Sequence, residues 1–204
     1  MRRTLALMVF TMLPATLAYG TRVADVSSAD RIEEDWELVV ATPDPDANGP
    51  QVTTIMNPLQ DSTSDFLVFN LNYQDYPTFV AGGLQAKVWK GGSVASTDVQ
   101  GSGQLQTTGE TVTWTQSLSL SDGTIRFKIL SGQSTKWGKF NLSASAATTL
   151  STLAAYSPQN SASKSAVSYA ANCVTSLTLV RTRYYQDDTL LRLDTTRRPV
   201  TLSN

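Results

Sequence analysis

The chain reads Thr111-Val112-Thr113-Trp114-Thr115-Gln116-Ser117-Leu118-Ser119-Leu120, then Ser121-Asp122-Gly123, then Thr124-Ile125-Arg126-Phe127-Lys128-Ile129-Leu130. Side chains on an extended backbone change face at every residue, so alternating apolar and polar positions mark a strand with one buried face. Val112 and Trp114 point away from the three threonines, and Ile125, Phe127 and Ile129 share a face after the turn. Asp-Gly between two such runs is the signal of a tight antiparallel hairpin.

The same period extends outward. Trp36, Leu38 and Val40 alternate with Glu37 and Val39, and residues 51–56 form a strand closed by Asn57-Pro58. Residues 66–71 are apolar at almost every position, as in a central strand covered on both faces. Residues 84–89 alternate again and end at Lys90-Gly91-Gly92. Residues 137–142, 174–185 and 190–193 with 200–202 supply the remainder. Residues 42–50 hold three prolines and a glycine and form a loop. One helix is expected, over 144–155, from its Ala and Leu content, with a polar loop over 157–165. Roughly nine short strands with at most one short helix predict an all-β fold, an antiparallel two-sheet sandwich.

The first residues read differently. Met1-Arg2-Arg3 is basic, residues 4–13 are almost continuously apolar, and Pro14-Ala15-Thr16-Leu17-Ala18 is a small-residue cleavage region. That order predicts a signal peptide over 1–18, followed by a polar leader over 19–31 and a single sandwich domain over 32–204. The apolar run is too short to span a bilayer, so no membrane span is expected once the signal is removed. A secreted, periplasmic or cell-surface location follows.

Composition excludes several chemistries. The 204 residues contain no histidine, which rules out a Ser-His-Asp triad, a Cys-His pair and a histidine zinc site within this chain. Cys173 is the single cysteine and has no intramolecular partner; it reads as a buried thiol. The net charge of −1 without a basic stripe argues against nucleic-acid binding.

Three groups could carry function. Trp36 and Trp114 share faces with apolar residues and belong to the core. Trp89 shares a strand face with Gln85 and Lys87, and Trp137 sits with Lys139 and Asn141. Two tryptophans on polar faces could form an aromatic platform for a sugar ring, with Gln85, Lys87, Lys139, Arg126 and Lys128 as its hydrogen-bonding fringe. A covering loop, or a register off by one, would place both rings in the core instead. Asp44, Asp46, Asn48 and Gly49 match positions 1, 3, 5 and 6 of a calcium loop, although Ile55 stands where the bidentate glutamate belongs. Calcium is the one cofactor these residues suggest, and a plain Pro/Asp/Gly turn is the favoured reading of them. The cluster Arg181, Arg183, Tyr184 and Tyr185, followed by Arg192, Arg197 and Arg198, could hold an anionic ligand; Arg181 and Arg183 alternate along one strand face, and solvated edge-strand charges explain them without a ligand.

Glu33, Asp35 and Glu37 share one face of a strand. This Glu-x-Asp-x-Glu spacing resembles the laminarinase-like glycoside hydrolases, and the resemblance implies nucleophile, helper and acid/base roles. The family has an apolar residue where this chain has Glu34. The strand alternation, Gly/Asn turns and export leader together resemble the concanavalin-like jelly-roll modules of secreted bacterial proteins, over residues 32–202. That resemblance implies a secreted non-catalytic module binding a glycan or another cell-surface component. A structural role in the cell envelope and a jelly-roll glycoside hydrolase are the alternatives.

Overall fold

A computed structural model describes residues 25–42, 50–60, 63–72, 83–101, 105 and 107–202. The expected signal peptide and the Asp44/Asp46/Asn48 loop lie outside the described residues.

Among the described residues, twelve strands form two antiparallel sheets. They are β1 (Arg31–Val40), β2 (Gln51–Met56), β3 (Phe66–Leu71), β4 (Leu84–Lys90), β5 (Ser93–Gln100), β6 (Thr111–Ser121), β7 (Thr124–Ser134), β8 (Gly138–Ala147), β9 (Ala166–Tyr169), β10 (Val174–Gln186), β11 (Thr189–Asp194) and β12 (Arg198–Pro199). The seven-stranded sheet runs β11-β10-β1-β6-β7-β8, with β12 also pairing with β10; the five-stranded sheet runs β5-β4-β3-β2-β9. A single α-helix, α1 (Pro158–Lys164), completes the described fold. The expected all-β two-sheet sandwich is the observed architecture.

The opening hairpin is β6–β7, with Ser121 opposite Thr124. Asp122 and Gly123 both take left-handed backbone, φ 50° and 69°, as a two-residue turn matching the strands' twist requires. Inward-facing residues of the two sheets then meet in one core. Trp36 and Trp114, opposite each other on β1 and β6, stack with centroids 6.2 Å apart and planes within 5°. Phe69 from the other sheet meets Trp114 edge-on at 5.5 Å and lies 6.1 Å from Phe140. Cys173 is a buried free thiol, as expected.

Two local expectations are corrected. Residues 144–147 end β8, and 148–155 contain no helix. Ala144 is buried between exposed Ser143 and Ser145, so small residues here line a strand rather than a helix face. The helix lies in the supposed polar loop: Ser157 caps it by accepting from the Asn160 N–H, with Pro158 at the first helical position.

The β8 edge is closed by side chains. Its outward N–H groups at Asn141, Ser143 and Ser145 donate to Gln100 Oε1 (3.3 Å), Asp98 Oδ2 (2.8 Å) and Ser96 Oγ (3.4 Å) of β5. Alternate side chains of one sheet's edge strand thus stand in for the backbone ladder of the other's.

Candidate functional site

Alternation along β4 turns Leu84, Ala86 and Val88 to the core, and Gln85, Lys87 and Trp89 to the outer face of the five-stranded sheet. Trp89 is half-buried and lies directly opposite Phe66 of β3, stacked at 5.5 Å and 12°. The next row pairs Lys87 with Val68, and the one beyond pairs Gln85 with Asn70. Asn70 Nδ2 donates to Gln85 Oε1 at 3.2 Å, and Asn70 Oδ1 accepts from Thr53 Oγ1 of β2 at 2.8 Å. This face therefore grades from a stacked aromatic pair through the Lys87–Val68 row to a hydrogen-bonded polar row, with Val68 and Gln85 buried. A hollow of about 320 Å³ adjoins Phe66, lined also by Ile55, Asn57, Thr63 and Lys164.

Trp137 and Lys139 are placed elsewhere. Trp137 occupies the turn between β7 and β8, where strand alternation does not apply, and its half-buried ring covers Gly101 beyond the end of β5. A Cβ on Gly101 would stand 2.9 Å from the indole Cδ1, so the close approach needs glycine there. Trp89 is opposite Val94 near the start of β5. Seven residues of extended chain separate Val94 from Gly101, about 23 Å at strand rise. Gln85, Lys87 and Trp89 share one face, and Trp137 stands at the opposite end of β5 from Trp89, so the two rings do not form one platform.

Glu33, Asp35 and Glu37 do line up on the outer face of β1, and each carboxylate is held by a guanidinium. Arg183 reaches Glu33 at 3.1 Å and Asp35 at 2.8 Å, Arg181 also binds Asp35, and Arg197 reaches Glu37 at 2.8 Å. Cross-strand pairing thus accounts for the Arg181/Arg183 alternation.

The residue that departs from the hydrolase pattern, Glu34, is the most unusual side chain in the core. It points inward between Ile32 and Trp36 and is fully buried. Its Oε1 accepts from Tyr156 Oη at 2.6 Å; its Oε2 accepts from Gln116 Nε2 (2.8 Å), Ser161 Oγ (2.8 Å) and Trp36 Nε1 (3.0 Å). Thr54 Oγ1 donates to Gln116 Oε1 at 2.8 Å, which fixes the amide with its nitrogen toward Glu34. Burial pushes the Glu34 carboxyl above its ordinary value, and the four donors oppose that push. Ser161 Oγ also lies 2.8 Å from the Ile55 carbonyl, so α1 is tied to both sheets. The sequence signal was available: Glu34 and Gln116 are polar residues at inward positions of facing strands.

No family model matches the chain, and no curated protein matches it. Several solved structures are similar in outline. A homodimeric agglutinin from chicken liver, CG-16, is 13% identical, with 61% of this chain and 90% of that one covered and a TM-score of 0.32. Galectin-Ib of Xenopus laevis is 9% identical over 60% and 86%, also at 0.32. A scytalido-glutamic peptidase with a transition-state analogue inhibitor is 11% identical over 85% and 84%, at 0.38. Overlaps this loose share a sandwich outline and say nothing of ligand or reaction. Among the described residues, no group of three or more His, Cys, Asp or Glu is arranged to hold a metal ion, and no helix is long and apolar enough to cross a membrane.

Proposed function

We propose that this protein is a secreted, non-catalytic β-sandwich module that binds a glycan on the outer face of its five-stranded sheet. The observation that carries this reading is Trp89, held flat by Phe66 beside the Gln85–Asn70–Thr53 row. An indole steadied by Phe66 on one side can offer its other face to the C–H groups of a sugar ring, while Asn70 and Lys87 nearby bond its hydroxyls. The basic, apolar and small-residue succession in the sequence of residues 1–18 supports export, and the pairing of Glu33, Asp35 and Glu37 with arginines supports a non-catalytic role.

Affinity electrophoresis of the exported protein in gels cast with plant and bacterial polysaccharides tests the reading. A retained wild type and a Trp89→Ala variant weakened about tenfold or more, the loss of roughly one good stacking contact, is the expected pair of results. A Trp89→Ala protein that is retained as strongly as wild type sinks the sheet-face site. Reducing-sugar release from mixed β-glucans that disappears in Glu33→Gln or Glu37→Gln would replace binding with hydrolysis.

A further inference from the structure

We propose that a groove beside α1 is a second binding site, for a sugar acid whose carboxylate is taken by Arg192. The groove measures about 570 Å³ and runs between the start of α1 and β11 with the turn after it, with the buried Tyr156 and Tyr184 at its floor. It uses no residue of the Trp89 face and stands or falls independently of it.

At this corner the buried Nε atoms of Arg192 on β11 and Arg198 on β12 have no hydrogen-bond partner, and the Tyr184 hydroxyl of β10 interacts with Arg192. The strand register explains the convergence, since Tyr184 is opposite Arg192 and Thr182 is opposite Asp194. Arg192 lines the groove and is only half-buried, so the rest of its guanidinium is available to a partner there. The chemistry of that partner follows from the donors. A guanidinium has N–H groups and no acceptor, so its complement must bring acceptor oxygens, and the one arginine charge that Asp194 does not take up favours an anion.

The two arginines are not equivalent. Arg198 is bound to Asp194 at 2.7 Å and donates to the Thr196 carbonyl, which shapes the turn after β11. Arg192 has no carboxylate partner among the described residues. Its guanidinium lies over the Tyr184 ring at 3.9 Å, which sets its plane in advance of any ligand. A planar fork held in this way matches a carboxylate. Gln60, Ser157, Gln159, Thr195 and Thr196 make up most of the remaining wall, and they bring amides and hydroxyls rather than apolar side chains. Such a wall suits a polyhydroxylated body, and the volume is in the range of small-molecule sites. Carboxylate plus hydroxyl-bearing ring is the chemistry of a uronic acid.

The test is titration of the wild-type protein with glucuronate, glucose and inorganic sulfate, followed by calorimetry and by backbone amide NMR. Glucuronate should move the amide resonances of Ser157, Gln159, Thr195 and Thr196, while glucose and sulfate each bind at least about tenfold more weakly. Arg192→Gln should weaken glucuronate about tenfold or more. Arg197→Gln, which removes the same charge from outside the groove, should leave it within about twofold. Glucose binding as tightly as glucuronate overturns the carboxylate, and sulfate matching it overturns the sugar. Shifts centred on Trp89 instead would assign the uronate to the sheet face and overturn the groove. Equal losses in the two arginine variants would reduce the effect to net charge. If Arg192→Gln does not fold, the wild-type shift map and the three-ligand ranking decide alone.

Discussion

Replacing Glu34 separates the need for an acceptor from the need for a charge. Glu34→Leu removes both oxygens and leaves Trp36 Nε1 and Gln116 Nε2 aimed at hydrocarbon. Neither can turn away: the indole is locked in the Trp36–Trp114 stack, and Thr54 pins the Gln116 amide. The Ser161 hydroxyl escapes, because the Ile55 carbonyl already lies within 2.8 Å. Two orphaned donors at about 1–3 kcal/mol each, with part of the same for Tyr156 Oη, put the loss at about 3–5 kcal/mol. Glu34→Gln is different. Its carbonyl oxygen can take the three donors now on Oε2, its NH2 can face the Tyr156 oxygen, and no charge is buried. Only the Tyr156 proton needs a new acceptor, so the net loss at neutral pH should stay within about 1–2 kcal/mol.

Urea unfolding followed by tryptophan fluorescence suits this test, since Trp36 and Trp114 report on the same core. The pH dependence has a definite sign. Burial raises the folded Glu34 carboxyl above its ordinary value near 4.5, so between the two values the folded state holds more protons than the unfolded one. This group's contribution is fully present below the ordinary value and is lost as pH rises through the raised one, at about 1.4 kcal/mol per unit of difference. Glu34→Gln should abolish that component. Glu34→Leu as stable as wild type would refute the reasoning, and so would Glu34→Gln as damaging as Glu34→Leu with its pH slope intact.

Gly132→Ala should destabilise by about 2 kcal/mol or more in thermal melts, because its Cβ would stand 2.2 Å from the buried Phe140 ring; an unchanged midpoint would mean that the ring moves freely. Asp98→Ala removes the acceptor of the Ser143 N–H and should cost about 1 kcal/mol, whereas Asp98→Asn retains an acceptor and should cost less; equal losses in urea titrations would point to charge instead. For the Asp44/Asp46/Asn48 loop, calcium at a hundred times its dissociation constant should add about 2.7 kcal/mol of stability that a chelator removes, and identical melting curves would leave only a turn.

What could be read in advance depended on apolar contrast. Strands β2 and β3 were legible residue for residue because each alternates or fills with large apolar side chains. Strand β5 was not, since its side chains toward β8 are Ser96, Asp98 and Gln100, and polar alternation carries no hydrophobic signal. Ala144 and Ala146 misled in the opposite way: alanine favours helix locally, and the pairing of β8 with β7 overrode that preference. The true helix announced itself through Ser157-Pro158, a capping signal rather than a hydrophobic one. At the candidate site, the shared face of Gln85, Lys87 and Trp89 followed from period two. Trp137 did not, because it lies in a turn, where neighbours in sequence have no fixed face. Arg192 and Arg198 stood out in the sequence as part of an arginine cluster, but their groove did not: its other residues come from around α1 and from the turn after β11, and only tertiary packing brings them together.

The side-chain closure between β5 and β8 also bears on the order of events in folding. The β6–β7–β8 meander is local in sequence and can pair early, but its last strand gains acceptors for Asn141, Ser143 and Ser145 only when the five-stranded sheet has docked. Until then β8 is an open strand edge next to a nearly complete apolar surface. The β5 segment of a neighbouring molecule could supply the same three acceptors, so the native lock is also a template for exchange between chains. Refolding yield should fall with protein concentration and recover when β5 is given time to reach its own partner.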